Sequence, residues 1–194
     1  MKKIAFLLAI CLLLSAILVT VRDRNTLQSN ILRLHVVANS DSDSDQAIKL
    51  QVRDAVLAVI QSDMENIENL NDAKKYICEK LPELEQTANE VLIAAGSADR
   101  ATVTLASEEF PTRYYDTFTL PAGVYESLRI RIGKAEGRNW WCVVFPNLCL
   151  GAVTAEESGF SQDLTETLTG EGGYELRFFL LDLWGRLENF FHKD

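Results

Sequence analysis

Histidine is nearly missing from this chain: only His35 and His192 occur in 194 residues, the second close to the C-terminal end. No HExxH helix, no paired CxxC and no GxSxG nucleophile elbow is present, so the usual scaffolds of zinc hydrolases, thiolate metal sites and serine hydrolases are excluded. No glycine-rich loop offers its amides to a phosphate. The acids of Asp41-Ser42-Asp43-Ser44-Asp45 alternate like the first half of an EF-hand, but Gln46 stands at the obligatory glycine and Val52 at the bidentate glutamate. No metal or cofactor set is therefore expected. Basic residues are also short, 19 against 28 acids, for a net charge of −9. That balance argues against nucleic acid as a partner and against adhesion to anionic lipid as the main activity. Repeats and low-complexity tracts are absent.

What is present begins with a leader. Lys2 and Lys3 precede an uncharged apolar run from Ile4 to Val21, which Arg22, Asp23 and Arg24 close. This is the pattern of an export signal or signal anchor, at about the length (~18 residues) that just spans a bilayer. No small-x-small cleavage site follows, which favours an uncleaved anchor. Cys11 sits inside the apolar core behind the bulky Ile10, unlike a lipoprotein cysteine. Residues 1–24 are assigned to this segment, and the rest of the chain is placed outside the cytoplasm.

The stretch from Ile31 to Val59 organises the remainder. Leu32, Leu34, Val36 and Ala38 alternate with Arg33, His35 and Val37, the period of a strand. From Ile48 the apolar positions Ile48, Val52, Ala55, Val56 and Val59 mark one face of a helix. Between them Ser42 and Asp45 fit a capping box, and Asp43 and Asp45 place negative charge in the first turn. Asn71 to Gly96 predicts further helix, with Pro82 starting a second segment, Gly96 as the stop, and Lys80, Glu83, Glu85 and Glu90 solvated.

Strand periods follow at Val103–Leu105, Arg113–Leu120, Leu128–Ile132 and Trp140–Phe145, joined by short loops that favour antiparallel pairing. The fold class expected is α+β, with helices packed on one face of a mostly antiparallel sheet behind the N-terminal hydrophobic helix. Residues 25–150 form the main domain. Residues 151–194 add a polar loop over Gly151–Gly173 and an amphipathic helix packed on the same domain. Its stripe of Leu180, Leu183, Trp184, Leu187 and Phe191 is expected to cover the core, with Asp182 and Arg186 paired on the other side.

Of four cysteines, Cys142 and Cys149 lie close together in an oxidising compartment and are the expected disulfide, pinning the Phe145-Pro146 turn. Cys78 reads as a small buried side chain. A hydrolase would need His35 to meet Cys142 or Cys149, or two of the carboxylates Asp41, Asp54, Asp116 and Glu126 to form a pair. Arg53 next to Asp54 is unusual in an apolar helix, and a structural ion pair with Asp41 is the first reading. Trp140 and Trp141 point to opposite faces of their strand, one into the core and the other over a sheet edge or toward a partner.

Two blocks then carry a family likeness. Arg33–Ser42 (RLHVVANSDS), Asp45-Gln46, Lys49 and Val52–Val56 form the first. The second holds Leu120–Gly123, Tyr125, Leu128-Arg129, Ile132-Gly133, Gly137, Asn139–Val143, Phe145-Pro146 and Leu148-Cys149, with Pro111–Arg113 and Tyr115 ahead of it. Together they resemble the stage II sporulation protein R family. The resemblance implies a signalling protein rather than an enzyme, exported into the space between forespore and mother cell. There it would activate a membrane-embedded aspartic protease that cleaves a sigma factor precursor. Asn39, Ser40, Asp41, Arg53, Trp140 and Trp141 are the candidate partner surface.

Overall fold

The computed structural model describes residues 2–64, 66–115, 118–146, 162–169 and 175–192. Its elements in order are α1 (Lys2–Asn30), β1 (Leu32–Val37), α2 (Asp43–Met64), α3 (Leu70–Ala94), β2 (Ala101–Phe110), β3 (Arg113–Tyr114), β4 (Thr119–Leu120), β5 (Gly123–Ile132), β6 (Asn139–Phe145), α4 (Gln162–Thr169) and α5 (Glu175–His192). They fall into two compact units, the first drawn from Met1–Ser29, Glu109–Val124 and Ala155–Asp194, the second from Asn30–Glu108 and Tyr125–Thr154.

The second unit is α+β. Its sheet runs β2-β5-β1-β6, so the strand that leads the chain becomes central. β1 pairs antiparallel with β6 but parallel with β5, with Leu34 opposite Leu128 and Val36 opposite Ile130, so the successive strands β5 and β6, expected to pair across their short loop, are separated by β1. The sheet is therefore mixed. A parallel pair needs a long crossover, and α2, α3 and β2 supply it between β1 and β5. All six residues of β1 are buried. Leu32, Leu34, Val36, Leu128, Ile130, Cys142 and Val144 meet Val52, Val56 and Ile60 of α2 and Ile77, Leu84 and Leu92 of α3 in one apolar core.

α3 is one helix with Pro82 inside it, not two segments. Proline removes the bond to the carbonyl four residues back, but the stripe Ile77, Leu84, Ala88, Leu92 stays buried across it, and that packing holds the two halves in line. Gly96 (φ 72°) stops the helix, with Gly96 N–H on the Ile93 carbonyl and Ser97 N–H on the Leu92 carbonyl. This is a Schellman cap, which requires a left-handed residue. Off the stripe, Glu85 is not simply solvated: it accepts from Val103 N–H at 3.0 Å, and the Asn89 amide bonds both Ala101 N–H and Ala101 C=O at 3.0 Å. These bonds occupy backbone groups of an edge strand that would otherwise invite pairing. Cys78 is exposed rather than buried, because it sits one residue past the buried Ile77 and turns away from the stripe.

In the first unit α1 continues through Arg22-Asp23-Arg24 to Asn30, because flanking charges do not interrupt a helix whose backbone bonds are internal. It is long and apolar enough to cross a membrane, which suits a signal peptide or membrane anchor. Arg24 pairs with Glu188 of α5, and the Gln28 amide bonds the Val124 carbonyl at 2.8 Å. The predicted return strand is reduced to the two-residue strands β3 and β4, paired Arg113 to Leu120. Within the expected polar loop, Gln162–Thr169 is helical, with Thr165, Thr167 and Leu168 buried. Leu164 and Leu168, four residues apart, were its sequence signal. The rest of that loop, like Asp116 and Cys149, lies outside the described residues.

Candidate functional site

The turn after β1 is built from side chains that satisfy one another. Asp45 N–H donates to Ser42 Oγ at 3.1 Å, the expected cap on α2. The reciprocal half of the capping box is replaced: the Asp45 carboxylate instead accepts from Ser40 Oγ at 2.5 Å and from Asn39 Nδ2 at 3.1 Å. The Ser40 bond is the largest influence on this carboxyl and, with Asn39 and Ser42, holds it below the usual aspartate value.

The same turn grips the connection between β5 and β6, the strands on either side of β1. Asn39 Oδ1 accepts from Lys134 N–H at 3.0 Å, and the Ala38 and Asn39 carbonyls accept from Gly137 N–H and Glu136 N–H. Gly133 (φ 56°) and Gly137 are needed here, since a Cβ on either would overlap Asn39 or the Ser40 carbonyl. Lys49, buried beneath, donates to Gln46 Oε1 at 2.7 Å and to the Arg138 carbonyl at 3.0 Å. Burial and then the nearby Arg138 charge lower its ammonium pKa. Asp41 Oδ1 accepts from Arg138 N–H at 2.6 Å, and the two side chains form a loose pair at 3.6 Å. Both stay exposed.

Arg53 does not reach Asp41. It pairs with its neighbour Asp54 at 2.6 Å and lays its guanidinium over the Trp140 ring, 4.6 Å from the centroid. A charge one residue away on an exposed helix edge is nearer than any turn carboxylate, and the indole offers the other half of the contact. Two candidate residues thus meet on the helix-covered side of the sheet.

Trp141 faces the other side and stacks on His35 at 3.9 Å between centroids. His35 Nδ1 contacts Glu108 Oε2 at 3.0 Å and Nε2 contacts Asn139 Oδ1 at 2.9 Å. Arg129 approaches the same Glu108 oxygen at 3.4 Å. Burial is the strongest influence on Glu108 and pushes its carboxyl up, but His35, the adjacent Ser127 and Arg129 together hold it below the usual glutamate value. Arg33, fully buried, lies over the Tyr125 ring at 5.1 Å. Both Trp residues are therefore half-buried in specific stacks, and neither is a bare anchor.

The turn, Trp140 with Arg53, and Trp141 with His35 are three separate arrangements rather than one cluster. Lys49, Arg138, Glu108 and Asn139 complete them and were missing from the candidate set. Glu108 was findable, because it shares strand parity with the outward row of β2, opposite Val103 and Leu105.

This geometry also bears on the hydrolase reading. Cys142 is disulfide-bonded and belongs to the apolar core on the face away from His35, so the two cannot form a nucleophile–base pair. Asp41, Asp54 and Glu126 are each engaged with a different cation, Arg138, Arg53 and Lys74. Among the described residues no group of three His, Cys, Asp or Glu side chains could hold a metal ion.

A family model described as stage II sporulation protein R matches residues 28–155. The stage II sporulation protein R of Bacillus subtilis (strain 168) is 37% identical over 158 residues, which cover 76% of this chain and 70% of that protein. No solved structure matches.

Proposed function

The chain belongs to the stage II sporulation protein R family, and we propose that it is an exported signalling protein that activates a membrane-embedded aspartic protease. The protease would then cleave a mother-cell sigma factor precursor. α1 carries the export or anchoring function, and the space between forespore and mother cell is the site of action. The contact surface centres on Asp41 and its turn, with Arg53, Trp140 and Trp141 of the neighbouring strand and helix as further contacts.

One observation supports the turn above the other candidates. Asn39, Ser40, Asp45 and Lys49 use their polar groups to fix the turn against the β5–β6 connection, and Asp41 and Arg138 are among the charges it leaves facing solvent. A recognition surface gains from such fixation because less ordering entropy remains to be lost on binding. Activation is a population shift: the chain binds the active arrangement of the protease more tightly than the inactive one and so enriches it.

The test is reconstitution in a cell without the sporulation programme. The full chain is co-expressed with the membrane protease and its sigma precursor, and precursor cleavage is followed. Cleavage that depends on the chain supports the proposal. An exported, folded chain that triggers none overturns direct activation.

A further inference from the structure

We propose that α5 is a membrane-surface helix whose exposed apolar side lies in lipid beside α1. The helix already has a protein-facing side. Leu181 is buried, Gly185 lies so close to the Ala122 carbonyl that a Cβ would overlap it, and Asn189 donates to the Phe110 carbonyl at 3.0 Å. The Asp182 carboxylate accepts from Ala122 N–H at 3.0 Å and from the Thr112 hydroxyl.

The opposite side carries Phe179, Leu183, Leu187 and Phe190 at spacings of four, four and three residues, all exposed and the last 71% so. Trp184 and Phe191 flank them and are exposed as well. The docked residues other than Leu181 are polar or glycine, so the apolar side of α5 still needs a cover, and its own unit leaves that side exposed.

What covers the second side is indicated by what it adjoins. Leu180, Trp184 and Leu187 of α5 line one apolar cleft with Leu13 and Ile17 of α1. Those α1 residues belong to the uncharged run from Ile4 to Val21, the segment apolar enough to cross a bilayer, and they are themselves exposed. The stripe on α5 is thus a lateral extension of a surface that requires lipid. The Arg24–Glu188 pair, directly beyond the apolar run, marks where that surface becomes polar. Phenylalanine and tryptophan on such a stripe suit the boundary between acyl chains and headgroups. A net charge of −9 directs the helix toward zwitterionic rather than anionic lipid. None of this depends on the protease.

The full chain, reconstituted into phosphatidylcholine vesicles with and without brominated acyl chains, tests it through tryptophan fluorescence. Bromolipid should quench the wild type, and the quenched component should be lost in Trp184→Phe, which keeps an aromatic ring in place. Aqueous acrylamide should leave that component largely untouched. Equal bromolipid quenching in both proteins overturns the proposal, as does a Trp184 component reached from water. A component shielded from both quenchers also overturns it, since protein, such as a second copy, then covers the stripe. Leu187→Ser with Phe190→Ser gives a second reading: the helix content measured by circular dichroism should persist while Trp184 quenching falls. α1 is intact in every variant, so a negative result concerns α5 alone.

Discussion

Helices α3 and α5 are equally amphipathic, yet their apolar sides meet different surroundings. In α3 the stripe Ile77, Leu84, Ala88, Leu92 is buried against the sheet and α2. In α5 the stripe read from the sequence is the exposed side, and the residues that dock, Leu181, Asp182 and Gly185, lie on its back. Helical periodicity states that a face must be covered and does not state by what. The helix that crosses a mixed sheet has its cover in the same unit. The helix beside an apolar N-terminal segment has solvent or lipid.

The same contrast divides β1, though both of its faces are buried. Leu32, Leu34 and Val36 enter the apolar core. Arg33 and His35 enter a polar layer in which His35 is held by Glu108, Asn139 and the Trp141 ring. Burial of the first face is driven by apolar area. On the second, His35 is tolerated because both of its ring nitrogens find partners.

Truncating each stripe should break the symmetry of the two helices most visibly. Leu84→Ala should cost about 2–5 kcal/mol of unfolding free energy, since it leaves a cavity under α3. Leu187→Ala should change it by less than about 0.5 kcal/mol in mild detergent. Chemical denaturation of both variants gives the comparison, and similar losses would mean that protein covers α5 as it covers α3.

The docked side of α5 is probed by Gly185→Ala, whose added methyl meets the Ala122 carbonyl. A loss of about 1–3 kcal/mol is expected, with faster amide exchange confined to α5 and its partners. Unchanged exchange would remove the assigned seat.

For the polar face of β1, Glu108→Gln should cost about 1–3 kcal/mol at neutral pH, because a charge-assisted bond to His35 is weakened. Glu108 is held below its ordinary value of 4.5. Its contribution is therefore present above that pH and is lost as pH falls through the lowered native value. The gap between wild type and variant should narrow below about pH 4.5. A gap that instead widens on acidification would contradict the assignment.

A modest loss, about 1 kcal/mol, is expected of Ser42→Ala, from loss of the α2 cap alone. A melting shift well beyond this would show that Ser42 also supports the β5–β6 connection.

Local signals carried far in this chain. The strand–turn–helix of Leu32 to Met64, the glycine stop of α3 and the opposed Trp140 and Trp141 were all readable, because period, cap chemistry and parity are properties of neighbours in sequence. The parallel β1–β5 pair was not, since it joins residues almost a hundred apart through a crossover. Arg53 was assigned to Asp41 because both are polar and close in sequence. Its actual partners, Asp54 and Trp140, depend on how β6 lies under α2. Pro82 read as a boundary because proline costs a helical bond, a loss that packing on both sides of it outweighs. The candidate turn was legible as a turn. Its grip on the β5–β6 connection through Lys49, Lys134 and Arg138 needed the fold.

The most direct test separates folding from signalling at that turn. Asp41→Asn keeps an oxygen to accept from Arg138 N–H and removes the exposed charge. Its melting temperature and its capacity to trigger precursor cleavage are measured together in the reconstituted cell. Unchanged melting with lost cleavage is the predicted result. A variant that melts like the wild type and still triggers full cleavage would contradict the assignment of the turn as the activating surface.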